Sequence, residues 1–319
     1  MNLRQLATLC EVVNHGLSIS AAAHATNRSQ PSVTRQIQEL ESELGFDLLV
    51  RRGGKIMALT SKGEEILTFA RRMLQELENI RRVGKESADT TRGDFTLATT
   101  HTQARYTLPP VIRRFAKLYP RVRLRLRQGS PSQCHEMVLM RQADLAICTE
   151  VMDSSPDLVD LPCYRLNRSV ITPPRHPLLK VKPLTLDALN RYPLITYDDG
   201  FSARWVVNKT FANHGLSPNV VLSAIDADVS KSYVELGMGI AILATVAFNP
   251  KRDAGLRRID AKHLFEPSTL RLVVRKQTYL RGYMLEFLRL FAPSLSDNEV
   301  ESFLRGEPPV EPVRDLPAL

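Results

Sequence analysis

Short polar side chains within residues 29–44 have the spacing expected of a helix surface that reads nucleic acid. An apolar stripe at helical intervals predicts the buried face of that helix: Val33, Ile37, Leu40 and Leu44. Ser29 is placed to act as the N-cap, and Pro31 falls in the first turn, where a missing N–H is tolerated. The outward residues are donors and acceptors of the kind that contact base edges and phosphates in a major groove: Gln30, Ser32, Thr34, Arg35 and Gln38. These five side chains are predicted to contact double-stranded DNA.

The flanking segments separate this prediction from an ordinary amphipathic surface helix, which the pattern of residues 29–44 alone would also fit. An apolar-striped helix begins near Leu3. A short alanine-rich helix over 21–25, capped by Ser18 or Ser20, precedes a turn at 26–28. A tight helix pair whose second member has a polar leading end is the helix-turn-helix arrangement.

A hairpin signal follows the predicted helix pair. Residues 47–52 and 55–59 flank Gly53-Gly54, a pattern typical of two antiparallel strands joined by a tight turn. Arg51, Arg52 and Lys55 lie near the tip and are predicted to contact phosphates. Residues 1–60 are therefore predicted to form a winged helix-turn-helix DNA-binding domain.

A second set of polar residues follows the predicted strand that ends at Thr99. Thr100, His101, Thr102 and Gln103 then open a helix, so that free backbone N–H groups, the positive end of the helix dipole and side-chain donors would meet there. Simple N-capping by Thr100 or Thr102 is the alternative interpretation. His101 could also be a catalytic base, but a helix-start donor is favoured because no nucleophile or carboxylate pair accompanies it.

Two further donor groups end neighbouring predicted strands. Gln128 and Ser130 precede Pro131, and Thr149 ends the strand after that. In parallel sheets, ligands collect where the carboxyl ends of strands converge. Together these donors predict a site for a small oxyanion that is held mainly by uncharged groups.

The chain has 319 residues, with 43 Lys and Arg against 34 Asp and Glu, a net charge of +9 that suits a polyanionic partner. Residues 121–127 alternate arginine with apolar residues, for which a solvated sheet edge is favoured over a second nucleic-acid site. The four cysteines have no paired ligand spacing, so neither a metal nor a cofactor is expected. Neither a signal peptide nor a membrane-spanning run is evident, and a cytoplasmic protein is expected.

The remaining chain divides by pattern into an apolar-seamed helix and an α/β region. Residues 61–92 predict a dimerisation helix and hinge, because the seam favours a partner helix over packing within its own domain. In 93–300 short apolar strands alternate with amphipathic helices, which predicts a mostly parallel α/β domain built as one open sheet or as two small ones. The 301–319 tail, which is rich in Pro and Glu from Gly306, is expected to be loosely packed or disordered.

The order of these parts resembles the LysR-type transcriptional regulators. The resemblance covers the chain to about residue 300 and is most specific in Ser29-Gln-Pro-Ser-Val-Thr-Arg-Gln-Ile, Leu48-Leu-Val-Arg-Arg and Leu59-Thr. It implies homotetramers, dimers of dimers in which long helices pair antiparallel. It also implies an effector domain like type II periplasmic solute-binding proteins, with subdomain one at 93–164 and 267–300 and subdomain two at 165–266.

Within the α/β region the chain resembles the CysB-type branch of that family, whose members regulate sulfur assimilation. The resemblance is carried by the motifs that begin at Ala98, Tyr119, Gln128, Leu161, Asn167, Asp226 and Arg281. It implies that sulfate or an acetylserine binds at Thr100, Thr102, Gln103 and Thr149, and at Ser202 of Gly200-Phe-Ser, where the branch has Gly-Phe-Thr. Gln128 and Ser130 are added to this set by placement alone.

The resemblance implies an activator of genes for cysteine biosynthesis and for use of sulfate, sulfonates or sulfate esters. Its expected partners are a pseudo-palindromic operator, RNA polymerase as a further candidate, and an effector of the sulfate, thiosulfate, O-acetylserine or N-acetylserine class. A LysR-type regulator of an unrelated pathway is the nearest alternative. A solute-binding receptor with an N-terminal extension and an enzyme built on the α/β domain are the others.

Overall fold

A computed structural model describes residues 1–53, 55–86, 91–151, 154–306 and 316–319. The chain forms two compact units, 1–88 and 89–319. No helix of the described residues is both long enough and apolar enough to cross a membrane. The four cysteines are buried.

The first unit begins with three helices, α1 (Leu3–Asn14), α2 (Ile19–Ala25) and α3 (Gln30–Leu44). Ser18 caps α2 by accepting from the Ala21 N–H. Ser29 occupies the N-cap position of α3 but makes no side-chain capping bond. The physical reason is local, because Pro31 has no N–H and the Ser32 N–H donates to the backbone carbonyl of Ser29 instead. The predicted apolar stripe of α3 is confirmed, with Val33, Ile37 and Leu40 buried.

The predicted hairpin is confirmed as β1 (Leu49–Arg52) and β2 (Lys55–Leu59), which pair antiparallel. The helix α4 (Ser61–Glu86) follows, and Thr60 caps it by accepting from the Gly63 N–H at 2.9 Å. Only glycine fits at 63, since a Cβ there would lie 2.2 Å from the Leu48 carbonyl oxygen. Part of the α4 seam packs into the core of its own unit through Leu67 and Ala70.

Two five-stranded mixed sheets organise the second unit. The first has the order β4-β3-β5-β12-β6 and consists of β3 (Arg92–Thr99), β4 (Arg121–Gln128), β5 (Leu145–Thr149), β6 (Leu158–Leu166) and β12 (Ser268–Arg275). The second has the order β11-β7-β10-β8-β9 and consists of β7 (Arg168–Thr172), β8 (Leu194–Tyr197), β9 (Val220–Ala224), β10 (Ile240–Ala244) and β11 (Arg257–Asp260). We call the halves built on them the first and second lobes.

The α/β fold class is confirmed, and so is the expectation of mostly parallel strands, because four of the five strands in each sheet run in the same direction. The strands β7 and β12 run antiparallel to both of their neighbours, because each follows a passage of the chain from one lobe to the other. Two edge strands, β6 and β11, were not predicted. The strand β6 contains Pro162, which an edge strand tolerates and a central strand does not.

Helices cover the sheets, in the order α5 (Leu108–Leu118), α6 (Pro131–Leu139), α7 (Leu186–Asn190), α8 (Ser202–Asn213), α9 (Ala227–Glu235), α10 (Gly282–Phe291) and α11 (Asp297–Arg305). The helix α11 was not predicted, and its Val300 and Phe303 join the core of the first lobe. The expectation of a loosely packed tail is wrong for 316–319, where the Arg165 N–H donates to the Pro317 carbonyl and the Leu319 N–H to the Arg165 carbonyl. Residues 307–315 lie outside the described part of the chain.

Candidate functional site

A cavity of about 40 Å³ lies between the two lobes, where the carboxyl ends of β3, β5, β8 and β10 face one another. It has space for a few water molecules or a small ion. The first lobe contributes Thr100, His101, Thr102, Gln103, Thr149, Leu166 and Ser268. The second contributes Arg168, Tyr197, Phe201, Ala203, Ile225, Ile242 and Ala244. The cavity therefore combines hydroxyl and amide donors with one buried guanidinium and an apolar wall.

The segment after β3 opens a helix, as predicted, and it does so with a wide turn that was not predicted. The Leu108 N–H donates to the Gln103 carbonyl, which makes residues 103–107 a single π-helical turn before α5. Gln103 is 1% exposed and its Oε1 accepts from the Thr107 hydroxyl at 2.7 Å. The NH₂ group of Gln103 is the part of this side chain that can donate to a ligand. Turns of this kind are frequent at functional sites.

Two of the predicted donors meet across the cleft. The Ser202 hydroxyl at the start of α8 donates to Thr149 Oγ1 at 2.9 Å. Thr149 ends β5 in the first lobe, so this bond joins the two lobes beside the cavity. A ligand that took either hydroxyl as its partner would alter the contact between the lobes.

Gln128 and Ser130 are not among the residues that line the cavity. Ser130 instead caps α6, accepting from the Gln133 N–H at 3.3 Å while its own N–H donates to Gln133 Oε1 at 2.8 Å. Gln128 ends β4 and is exposed. The strand β4 is the edge strand of its sheet, a position that the sequence order does not give, and an effector-binding role for Gln128 and Ser130 stays a prediction.

Arg168 and Tyr197 line the cavity and were not predicted to bind a ligand. The Arg168 guanidinium donates to the Glu266 carbonyl and to Ser268 Oγ, the latter at 2.7 Å. Burial raises the pKa of Tyr197 to about 12, although a hydrogen bond with Thr102 and the charge of Arg168 act in the opposite direction. The only sequence signal for Arg168 was its membership of the Asn167-Arg-Ser motif.

A polar network crosses the cleft next to the cavity. His101 Nε2 lies 2.8 Å from Asp228 Oδ2, and the Tyr106 hydroxyl donates to Asp228 Oδ1 at 2.5 Å. Lys231 Nζ donates to the same hydroxyl at 2.7 Å and to Asp253 Oδ1 at 2.8 Å. His101 and Tyr106 belong to the first lobe, and their partners belong to the second.

The two aspartates at the start of α9 have different contacts. Asp226 caps that helix by accepting from the Val229 N–H at 2.7 Å. Asp228 lies in the first turn of α9 and also reaches across the cleft to His101 and Tyr106. Burial would raise the pKa of Asp228, but the hydrogen bonds from His101, Tyr106 and Lys231 lower it to about 2.

The predicted DNA-contacting side chains of α3 differ in exposure. Gln30, Arg35 and Gln38 are exposed, whereas Ser32 and Thr34 are half-buried. Arg35 is 81% exposed and pairs with Glu39 at 2.8 Å, four residues along the same helix face. A pair this exposed can exchange its carboxylate for a phosphate at little cost.

The cationic side chains of the hairpin also differ in exposure and in ion pairing. Arg52 is exposed, and the side chain of Lys55 lies outside the described part of the structure. Arg51 makes a two-pronged ion pair with Glu41, at 3.2 Å and 2.7 Å. Glu41 is 7% exposed and also accepts from the Leu48 and Leu49 N–H groups. Arg51 therefore fastens the hairpin to α3.

Two family models match the chain. The model for the bacterial regulatory helix-turn-helix protein of the lysR family matches residues 3–64, and the model for the LysR substrate binding domain matches residues 88–296. The chain therefore belongs to the LysR family, whose members bind DNA operators and small-molecule effectors and form oligomers. It is a LysR-type DNA-binding transcriptional regulator.

Similar proteins extend the match over nearly the whole length. The HTH-type transcriptional regulator CysB of Burkholderia cenocepacia is 48% identical over 307 residues, which cover 96% of this chain and 98% of that protein. The HTH-type transcriptional regulator SsuR of the same organism is 46% identical over 305 residues, 96% of this chain and 99% of that protein. The crystal structure of the cofactor-binding domain of the Cbl transcriptional regulator is 40% identical with a TM-score of 0.65, and covers 67% of this chain and 94% of that one. The resemblance to the CysB-type branch is confirmed.

Proposed function

We propose that this protein activates genes of sulfur assimilation in response to a small anionic or acetylserine-type effector bound between its lobes. On this proposal it binds a pseudo-palindromic operator as a dimer of dimers and contacts RNA polymerase. Occupancy of the cavity changes the angle between the lobes. Such a change requires that the effector bind one arrangement more tightly than the other.

The observation that carries the proposal is the gathering of uncharged donors at one end of the cavity. Thr100, Thr102 and Gln103 follow β3 at a helix start, and Thr149 ends β5 beside them. Backbone N–H groups at a helix start favour negative charge. None of the described residues that line the cavity carries a carboxylate, so an anionic group would meet no repulsion from the lining.

The assignment to sulfur metabolism rests on the CysB-type resemblance and on the relatives that carry the names CysB and SsuR. It is tested by measuring binding of sulfate, thiosulfate, O-acetylserine and N-acetylserine to the full-length protein by calorimetry. A ligand of the folded state also raises the melting temperature. A response to an aromatic acid or another unrelated metabolite, with none to these four compounds, would instead support a LysR-type regulator of a different pathway.

A pair of variants tests whether effector binding and operator binding are carried by different units of the chain. Thr102→Ala is expected to weaken effector binding about tenfold, the effect of losing one hydrogen bond to a charged group, and to leave operator affinity unchanged. Thr210→Ala is the matched control, because its hydroxyl donates to the Val206 carbonyl of its own helix. Arg35→Ala is expected to weaken operator binding and to spare effector binding, with exposed Arg114→Ala as control. Loss of both activities in either Thr102→Ala or Arg35→Ala contradicts the proposal.

A further inference from the structure

Arg168 is a buried cation in the lining of the cavity. It begins β7, is 3% exposed and lines the cavity together with Tyr197 and Ser268. Two of its N–H groups donate to neutral oxygens, the Glu266 carbonyl and Ser268 Oγ. An arginine side chain has five N–H donors, so the guanidinium has capacity for a further acceptor.

The charge of Arg168 is not neutralised at close range. Among the described residues, no carboxylate oxygen lies within 4.0 Å of its guanidinium; the ion pairs of that length involve other residues. Burial lowers the pKa of Arg168 to about 10, and the more distant carboxylates of Glu150 and Glu266 offset only part of this effect. The group still carries its proton at neutral pH, and a buried cation without a counter-ion is energetically costly.

Arg168 also connects the two passages of the chain between the lobes. The first passage runs from the end of β6 at Leu166 to the start of β7 at Arg168 itself. The second passage ends at the start of β12 and contains both acceptors, Glu266 and Ser268. An anion seated on this guanidinium would therefore act on both hinge segments at once.

We propose that Arg168 is the residue that sets effector specificity by charge, so that the cavity prefers a doubly charged oxyanion to a zwitterion or a neutral molecule of the same shape. The inference rests on the anion site proposed above and names the ligand class of that site. The physical reason is that only an anion relieves the cost of the buried cation. The uncharged donors of the cavity also form hydrogen bonds with a neutral sulfonyl group, so they discriminate by charge less strongly than the guanidinium does.

A series of ligands with the same tetrahedral sulfur and decreasing charge tests the proposal: sulfate, methyl sulfate and dimethyl sulfone. Binding to the full-length protein is measured by titration calorimetry at constant ionic strength. We expect affinity to fall at least about tenfold from sulfate to methyl sulfate and again to dimethyl sulfone, the loss typical of a hydrogen bond to a charged group. O-acetylserine, the zwitterion, is expected to bind more weakly than sulfate.

Variants of Arg168 give the second arm of the test. Arg168→Met is expected to remove the preference, so that the three ligands bind within about threefold of one another. Arg168→Lys keeps the charge and is expected to retain the order sulfate, methyl sulfate, dimethyl sulfone. Exposed Arg258→Met on β11 is the matched control and is expected to behave as the wild type.

Two results overturn the inference: wild-type protein that binds dimethyl sulfone or O-acetylserine as tightly as sulfate, or Arg168→Met protein that keeps the wild-type order. If Arg168→Met does not fold, the wild-type series and Arg168→Lys decide. The proposed function fails separately, because it requires that Thr102→Ala weaken binding of whichever sulfur compound binds. If the three ligands bind the wild-type protein with equal affinity while Thr102→Ala still weakens binding, the cavity is an effector site but Arg168 does not set its specificity.

Discussion

The polar network across the cleft makes the substitution Asp228→Asn a direct test of how the lobes are held together. Asparagine keeps the shape of the side chain and removes its charge. Asp228 accepts from His101 and Tyr106 of the first lobe, and its Oδ1 lies 3.2 Å from Lys231 Nζ. The substitution therefore weakens contacts between the lobes without removing atoms from the core.

The expected magnitude follows from the pKa of Asp228, which is lowered from 3.8 to about 2 despite the opposing effect of burial. By linkage, a shift of this size corresponds to roughly 2 kcal/mol of stability at neutral pH. The side chain is 36% exposed, so solvent screening reduces this to about 1 kcal/mol. Because the pKa is depressed in the folded protein, the stabilisation is present above pH 3.8 and is lost as the pH falls towards 2.

The assay is urea unfolding of the full-length protein, followed by the fluorescence of its single tryptophan. Trp205 lies on α8 in the second lobe and is 44% exposed, so its emission reports on the second unit. Asp228→Asn is expected to lower the free energy of unfolding by about 1 kcal/mol at pH 7, and the difference from wild type should shrink between pH 5 and pH 2.5. Asp260→Asn is the control, because the Asp260–Lys262 pair is exposed. A pH-independent difference, or none at pH 7, would refute the reasoning.

Two further predictions concern the interior of each unit. Glu41→Gln is expected to destabilise the first unit by about 2–3 kcal/mol and to weaken operator binding, because it leaves the Arg51 guanidinium without its carboxylate. Thermal unfolding measures the first effect and a gel-shift assay measures the second. A variant as stable as the wild type would contradict the role assigned to Glu41. Phe287→Ala is expected to destabilise the second unit by about 3–5 kcal/mol, because its ring packs edge-to-face on Phe95 with centroids 5.1 Å apart. Urea unfolding measures the loss of stability, with exposed Phe69→Ala as the reference variant. Equal stabilities of Phe287→Ala and wild type would contradict the prediction.

The sequence predicts well the parts of the molecule that are defined by local periodicity. The stripe of Val33, Ile37 and Leu40 and the Ser18 cap depend on neighbours a few residues away, and the structure confirms them. Residues whose surroundings are set by distant segments were missed or misplaced. Arg168 is buried by contact with residues about 100 positions away, and the exposure of Gln128 follows from the edge position of β4, which is not local information.

The wide turn at 103–107 has a consequence for how such a scaffold can change its ligand. An inserted residue in a helix offsets the side chains before it from those after it by about 100°, so the two segments no longer share a common phase. Thr102 and Gln103 face the cleft on one side of this offset, while Leu108 and Phe115 face the hydrophobic interior on the other. Substitutions at 100–103 can therefore alter recognition while Leu108 and Phe115 keep their packing in the interior. Duplicated genes could diverge in chemical response by this route without first losing a stable protein.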